Sequence, residues 1–228
     1  MLPRVILHNS VSVDGRVNGF MPDIGLHYEL AARWQVDAHL AGSDTILSMN
    51  EEIPPEDESA FEPPQKNPGD ARSLLVVPDS RGRVRSWHAL RQAPYWRNHV
   101  ALCSHATPRT YLDYLQERYI EFIVAGDDYV DMHTALEELN ARYGVKTVLL
   151  DSGGTLNGVL LRAGLVNEVS LLVNPCLVGG TSSSSIFRAA DLTSPEGAMQ
   201  LKLTHLEQVK EDIVWLQYEV VQEKHADD

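Results

Sequence analysis

Five consecutive residues have the composition of an anion-binding turn. Residues 151–155 read DSGGT, between a β-branched stretch at 146–150 and an apolar, helix-like stretch at 156–163. The two glycines permit close approach of a ligand, and the free N–H groups at a helix start favour an anion such as phosphate. A tight bend without a ligand is an equally good interpretation of these glycines alone. The spacing matches neither the G-x-G-x-x-G dinucleotide fingerprint nor a P-loop.

Two more stretches carry polar groups at strand ends. Residues 78–83 read PDSRGR, and this serine with the two arginines could hold a phosphate, since a guanidinium offers a fork of donors to phosphate oxygens. An exposed turn explains the same residues. Near the N-terminus, Asn9, Ser12 and the Asp14-Gly15 pair follow an apolar strand, where open α/β sheets hold ligands. A simple Asp-Gly turn is the alternative there.

The elements that must position these residues alternate along the chain. Periodicity predicts helices at 26–41, 108–118, 130–143 and 156–163. It predicts strands at 4–10, 45–48, 73–77, 100–104, 120–124, 146–150 and 168–174, then two more at 201–206 and 213–221. This order predicts an α/β fold with a mostly parallel central sheet and a C-terminal antiparallel hairpin.

The composition limits the classes of partner. A chain of 228 residues predicts a single domain over 1–228, and a net charge of −13 disfavours nucleic acid. No apolar run is long enough for a membrane span or a signal peptide, so we expect a cytoplasmic protein with small-molecule partners.

The cysteines, the histidines and a proline-rich segment give no sign of a catalytic or metal site. Cys103 and Cys176 are expected to be buried free thiols, and the histidines lack metal-site spacing, so that no metal is predicted. Residues 50–70, with five prolines, predict an acidic solvated loop or flap.

Taken together, three stretches resemble the reductases of riboflavin biosynthesis, a family that includes the C-terminal half of the pyrimidine deaminase-reductase. The matching stretches are 8–17 (HNSVSVDGRV), 77–83 (VPDSRGR) and 151–180, with its glycine turn, its GLVNE helix end and its P-x-x-x-G-G close. Their order and spacing agree over roughly residues 4–221. Asp151 stands where the family usually has glutamate.

The resemblance implies a dihydrofolate-reductase-like three-layer sandwich, a homodimer and NADPH as cofactor. The diphosphate would lie on Ser152, Gly153, Gly154, Thr155 and Leu156, and Ser80 and Arg83 would hold the 2′-phosphate. Thr45 would also contact the cofactor. Asn9, Ser12 and Gly15 would line the substrate pocket.

The reaction implied is reduction of the ribosylamino sugar of a pyrimidine 5′-phosphate to a ribitylamino chain. Asp14 and Asp151 are the candidate catalytic residues, because the reaction needs a proton source near the reduced centre. The alternatives are a related NADPH reductase of another heterocycle and a non-catalytic nucleotide-binding protein.

Overall fold

The computed structural model describes residues 1–49, 53–64, 67, 69–181 and 185–221. Within those ranges, none of the helices combines the length and the apolar character that crossing a bilayer requires. The strands are β1 Arg4–Ser12, β2 Ala38–Leu40, β3 Ser73–Pro78, β4 Trp96–Cys103, β5 Glu121–Val124, β6 Thr147–Leu150, β7 Glu168–Asn174, β8 Leu201–Lys210 and β9 Ile213–Val220. The helices are α1 Ile24–Ala31, α2 Ser43–Met49, α3 Trp87–Gln92, α4 Arg109–Glu117, α5 Met132–Tyr143 and α6 Gly154–Arg162.

The chain forms two compact units, and the first comprises Met1–Pro3 and Gln35–Val148. Its strands β5, β4, β3 and β2 are neighbours in that order, and all three pairs are parallel. Side chains of β3 and β4 pack with Trp87, Tyr111 and Leu115 in a closed apolar core. Helix α5 begins at Asp131, whose carboxylate accepts from the Thr134 amide, and ends at Gly144 in the left-handed conformation.

The second unit comprises Arg4–Trp34 and Leu149–Asp228. Its strands lie in the order β1, β7, β9, β8, with β1 and β7 parallel and the last two pairs antiparallel. Leu30 of α1, Leu172 of β7 and Trp215 of β9 form a buried cluster on this sheet. The unit therefore ends in the antiparallel hairpin that the alternation of residues 213–221 predicts.

The predicted α/β class, with a mostly parallel sheet and a C-terminal antiparallel hairpin, is confirmed. Two local predictions are wrong. The helix predicted over 26–41 ends at Ala31, and residues 38–40 form strand β2. The strand predicted at 45–48 lies within helix α2. Helix α3 was not predicted.

Long-range contacts explain why β2 is not a continuation of the helix. The Asp37 carboxylate accepts from the amides of Lys146 and Thr147 at 2.8 and 2.9 Å. The Asp37 backbone also bonds to Thr147 and Leu74. These partners lie far away in sequence, so local periodicity carries no trace of them.

The acidic segment predicted over 50–70 is mostly exposed in its described part, but two arginines bind it to the neighbouring helices. Arg118 forms a two-pronged ion pair with Glu56, at 2.7 Å to each carboxylate oxygen, and its guanidinium lies over Phe61. Arg91 donates to the carbonyl oxygens of Ala60 and Glu62. Residues 53–64 are therefore bound to α3 and α4. Residues 50–52, 65, 66 and 68 of the predicted loop lie outside the described residues.

Candidate active site

The predicted anion-binding turn joins strand β6 to helix α6. Gly153 is the N-cap residue of α6, with extended backbone angles and no side-chain cap. In the described part of the chain, the amides of Gly154, Thr155 and Leu156 have no hydrogen-bond acceptor. An added Cβ at Gly153 would meet no atom within 4 Å. The helix start thus presents free donors to open space, which suits an anion.

The second glycine of the turn has a different role. A Cβ at Gly154 would lie 2.0 Å from the carbonyl oxygen of Ser185, and one at Gly158 would lie 1.9 Å from that of Arg188. The Arg188 amide donates to the Gly154 carbonyl at 2.9 Å. Gly154 and Gly158, one helical turn apart, therefore form a groove on α6 that holds residues 185–188. Of the two consecutive glycines, only Gly153 leaves room for a ligand.

Two buried asparagines, Asn9 and Asn157, form hydrogen bonds to the turn. The Asn9 side-chain amide donates to the Ser152 carbonyl at 3.0 Å, and its oxygen accepts from Asn157 Nδ2 at 2.9 Å. Asn157 also donates to the carbonyl oxygens of Ser152 and Ile186. Asn9, predicted to line the substrate pocket, is thus committed to positioning the turn. Sequence reasoning missed Asn157, although an asparagine on the apolar face of a short helix is a usable signal.

The Asp14-Gly15 turn is anchored by its own carboxylate. Gly15 has a φ of 74°, which favours glycine. Asp14 accepts from the Ser12 hydroxyl at 2.6 Å and from the amides of Val178 and Gly179 at 3.1 and 2.7 Å. These hydrogen bonds, that of Ser12 first, hold the pKa of Asp14 far below its usual range. Asp14 is therefore ionised near neutral pH and cannot donate a proton there.

Asp151, the other predicted catalytic carboxylate, lies between β6 and Gly153 with about a quarter of its side chain exposed. Its Oδ2 accepts from the Tyr28 hydroxyl at 3.3 Å and lies 3.5 Å from His27 Nε2. Both partners belong to α1, which begins where Asp23 accepts from the Leu26 amide. The apolar spacing that predicts this helix gives no sign of a role for His27 and Tyr28.

The first unit holds the remaining predicted residues, Thr45, Ser80 and Arg83. The Ser80 hydroxyl oxygen accepts from the Val130 amide at 3.0 Å. Arg83 donates to Ser43 Oγ and pairs with Asp44, both at 2.8 Å, and its side chain stays 40% exposed. Thr45 lies in the first turn of α2, and its carbonyl accepts from the Ser48 hydroxyl. Ser43 and Asp44, which the sequence analysis did not single out, are thus the immediate partners of Arg83.

These features define a class: an α/β protein of dihydrofolate-reductase-like fold, in which an uncapped helix start lies beside a partly exposed carboxylate. The fold is shared with dihydrofolate reductase from Enterococcus faecalis, with a TM-score of 0.50 at 10% identity, over 96% of this chain and 97% of that chain. The sequence model of the RibD C-terminal domain family matches residues 3–215. The chain belongs to this family.

Two further relatives match nearly the whole chain. The 2,5-diamino-6-ribosylamino-4(3H)-pyrimidinone 5′-phosphate reductase of Methanothermobacter thermautotrophicus is 28% identical over 224 residues, which cover 94% of this chain and 97% of that protein. A pyrimidine reductase-like protein from Corynebacterium diphtheriae has a TM-score of 0.73 at 16% identity, over 97% of this chain and 93% of that chain.

Proposed function

We propose that the protein reduces the ribosylamino group of a pyrimidine 5′-phosphate to a ribitylamino group in riboflavin biosynthesis, with NADPH as the hydride donor. The observation that carries the proposal is the match to the archaeal reductase, which covers nearly all of both chains. The family consists of reductases that use a nicotinamide cofactor. When bound, the nicotinamide supplies the hydride for C1′ of the opened sugar.

The α6 start fits the diphosphate of such a cofactor. Its three free amides and the positive end of the helix dipole favour a doubly charged anion. The open space at Gly153 admits the ligand, whereas Gly154 is covered by residues 185–188. The amides of Gly154, Thr155 and Leu156 would bind the phosphate oxygens, while Ser152 keeps its carbonyl bonded to Asn9.

The preference for NADPH is assigned to Ser80 and Arg83. Arg83 already pairs with Asp44, yet its side chain is partly exposed and a guanidinium has five donors, so the remaining ones can bind a 2′-phosphate. The Ser80 hydroxyl accepts one hydrogen bond and keeps its own hydrogen to donate. Thr45 is proposed as a cofactor contact on α2.

The substrate end is assigned to the Asp14 turn and to Asp151. Ser12 and Gly15 shape this turn, and the ionised Asp14 holds it against residues 178–179. The Asp14 carboxylate is already bonded to three donors, whereas the Asp151 carboxylate is partly exposed and faces His27, so the proton needed at the reduced centre is assigned to the side of Asp151. A homodimer and a cytoplasmic location, both expected from the sequence, stay predictions; sedimentation analysis would check the first.

The experiment is an assay of the purified protein with NADPH and the ribosylaminopyrimidine 5′-phosphate, following the loss of reduced-nicotinamide absorbance. We expect turnover to the ribitylamino product, identified by mass. NADPH binding without turnover of this compound would instead favour a reductase of another heterocycle. Absence of NADPH binding at millimolar concentration would favour a non-catalytic protein.

A further inference from the structure

Three polar side chains of the second unit form a path of short contacts that ends at Asp151. Ser10 of β1 has its Oγ 3.1 Å from His27 Nδ1. On the other side of the ring, His27 Nε2 lies 3.5 Å from Asp151 Oδ2. The imidazole is buried, with 5% of the residue exposed. The path therefore joins the interior of the unit to a carboxylate that is partly exposed beside the α6 start.

The chemistry of the partners allows His27 to gain or lose a proton without breaking this path. An ionised carboxylate only accepts, so Nε2 must carry a hydrogen. A serine hydroxyl both donates and accepts, so Ser10 can donate to a neutral ring or accept from a charged one.

The neighbouring histidine, His8, has partners that determine which of its ring nitrogens donates a hydrogen bond. His8 Nε2 faces the backbone carbonyl of His27 at 3.1 Å and must donate to it. His8 Nδ1 lies 2.9 Å from Ser170 Oγ, which also accepts from Trp215 Nε1 at 2.8 Å. The Ser170 hydroxyl can donate to Nδ1, so these partners suit a His8 ring with its hydrogen on Nε2. The rings of His8 and His27 are 4.4 Å apart.

We propose that His27 is a positioning residue that holds the Asp151 carboxylate and supplies the proton passed through it during reduction. The titratable groups that face the His27 ring are His8 from β1, Tyr28 from α1 and Asp151 from the turn before α6. This inference rests on the proposed function, because it names the proton source for that reaction.

The step balances as follows. Addition of hydride to C1′ of the C1′=N bond leaves the nitrogen in need of one proton. His27 Nε2 passes its hydrogen to the Asp151 carboxylate, and Asp151 then delivers a proton to that nitrogen. The carboxylate charge is restored, the imidazolium becomes a neutral imidazole with its hydrogen on Nδ1, and Ser10 accepts from that hydrogen.

The first test needs neither cofactor nor substrate. The imidazole signals of the unliganded protein are recorded by NMR at one pH in wild type and in Asp151→Asn, with His27 assigned by through-bond correlation to its backbone. Because His27 Nε2 faces the Asp151 carboxylate, its signal should shift in the variant. Unchanged His27 ring signals would overturn the inference, whatever the enzyme reduces.

The second test separates proton supply from positioning. In His27→Gln, the amide still donates to Asp151 but carries no transferable proton. We expect kcat to fall about 100-fold, with the Kd for NADPH changed less than about twofold. The pH profile of kcat should also change in the variant, because the group that supplies the proton is gone.

His133→Gln is the matched control, because His133 also faces a carboxylate, Glu137 at 3.8 Å, but on the exposed surface of α5. It should keep the wild-type kcat and pH profile. If wild type turns over and His27→Gln keeps both, the inference is wrong while the proposed function stands. If wild type does not turn over, the proposed function fails, and the NMR comparison of wild type with Asp151→Asn still decides whether His27 faces Asp151. The same comparison decides the inference if His27→Gln does not fold, because it does not use that variant.

Discussion

Replacing Gly154 with alanine would place a methyl carbon 2.0 Å from the Ser185 carbonyl oxygen, far inside van der Waals contact. The helix start is fixed by β6, so residues 185–188 must move away. Three hydrogen bonds would be lost or weakened: Arg188 N–H to Gly154 O at 2.9 Å, Asn157 Nδ2 to Ile186 O at 2.9 Å, and Ile186 N–H to Gly15 O at 3.1 Å. At about 1 kcal/mol each, their loss outweighs the helix propensity that alanine gains. We expect Gly154→Ala to lower the free energy of unfolding by about 2 kcal/mol.

Gly153→Ala is the control at the adjacent position. Its backbone angles, φ −78° and ψ 168°, suit alanine, and the added Cβ meets no atom within 4 Å. The free energy of unfolding should change by less than about 1 kcal/mol. The same methyl group would occupy the space before the free amides of α6, so the Kd for NADPH should rise about tenfold, or about 1.4 kcal/mol.

Urea denaturation measures the first effect, and titration of reduced-nicotinamide fluorescence measures the second. The two adjacent glycines should give opposite results, one losing stability and the other losing affinity. A Gly154→Ala protein as stable as wild type would refute the packing of residues 185–188 on α6. Wild-type NADPH affinity in Gly153→Ala would refute the assignment of the helix start to the diphosphate.

Three further predictions concern other residues. The folded-state pKa of Asp14 lies below the unfolded value of about 3.9. The stabilising effect of Asp14 is therefore present above that pH and is lost as the pH falls further. The difference in Tm between wild type and Asp14→Asn should be constant from pH 7 to about 5 and should shrink in acid. Burial, with the nearby Asp79, raises the pKa of Cys103 to about 12, whereas Cys176 is only half-buried, so a thiol reagent should label one cysteine in native protein and two in denaturant. Arg83→Ala should reduce the ratio of kcat/KM for NADPH over NADH about 10- to 100-fold, and an unchanged ratio would remove Arg83 from 2′-phosphate binding.

The sequence predicts those elements whose signals are local. Helix α5 has an apolar stripe between Asp131 and Gly144. Asp131 caps its start, and Gly144 ends it in the left-handed conformation. The glycine turn and the Asp14 loop were also located from sequence. By contrast, β2 is held by Asp37 through partners more than a hundred residues away, and its Ala-His-Leu sequence continues the preceding helical period by chance.

At the site, too, the sequence located candidate residues but did not identify the residues that contact them. Sequence patterns located Asp14 and Asp151 but could not distinguish their environments. Asp14 is surrounded by donors from residues 178–179, whereas Asp151 faces His27 and Tyr28. The glycine spacing at 154 and 158 was visible in the sequence, but its partner segment 185–188 was not, because nothing local pairs the two.

The ion pair of Glu56 with Arg118 has a consequence for the electrostatics of the whole chain. Residues 53–64 pair a carboxylate with the guanidinium of Arg118 and supply carbonyl acceptors to that of Arg91, so this acidic segment covers two cations. A variant in which this segment is replaced by a short glycine-serine linker would uncover two cations on α3 and α4. That face of the first unit would then attract polyanions such as nucleic acid, which the intact acidic segment repels.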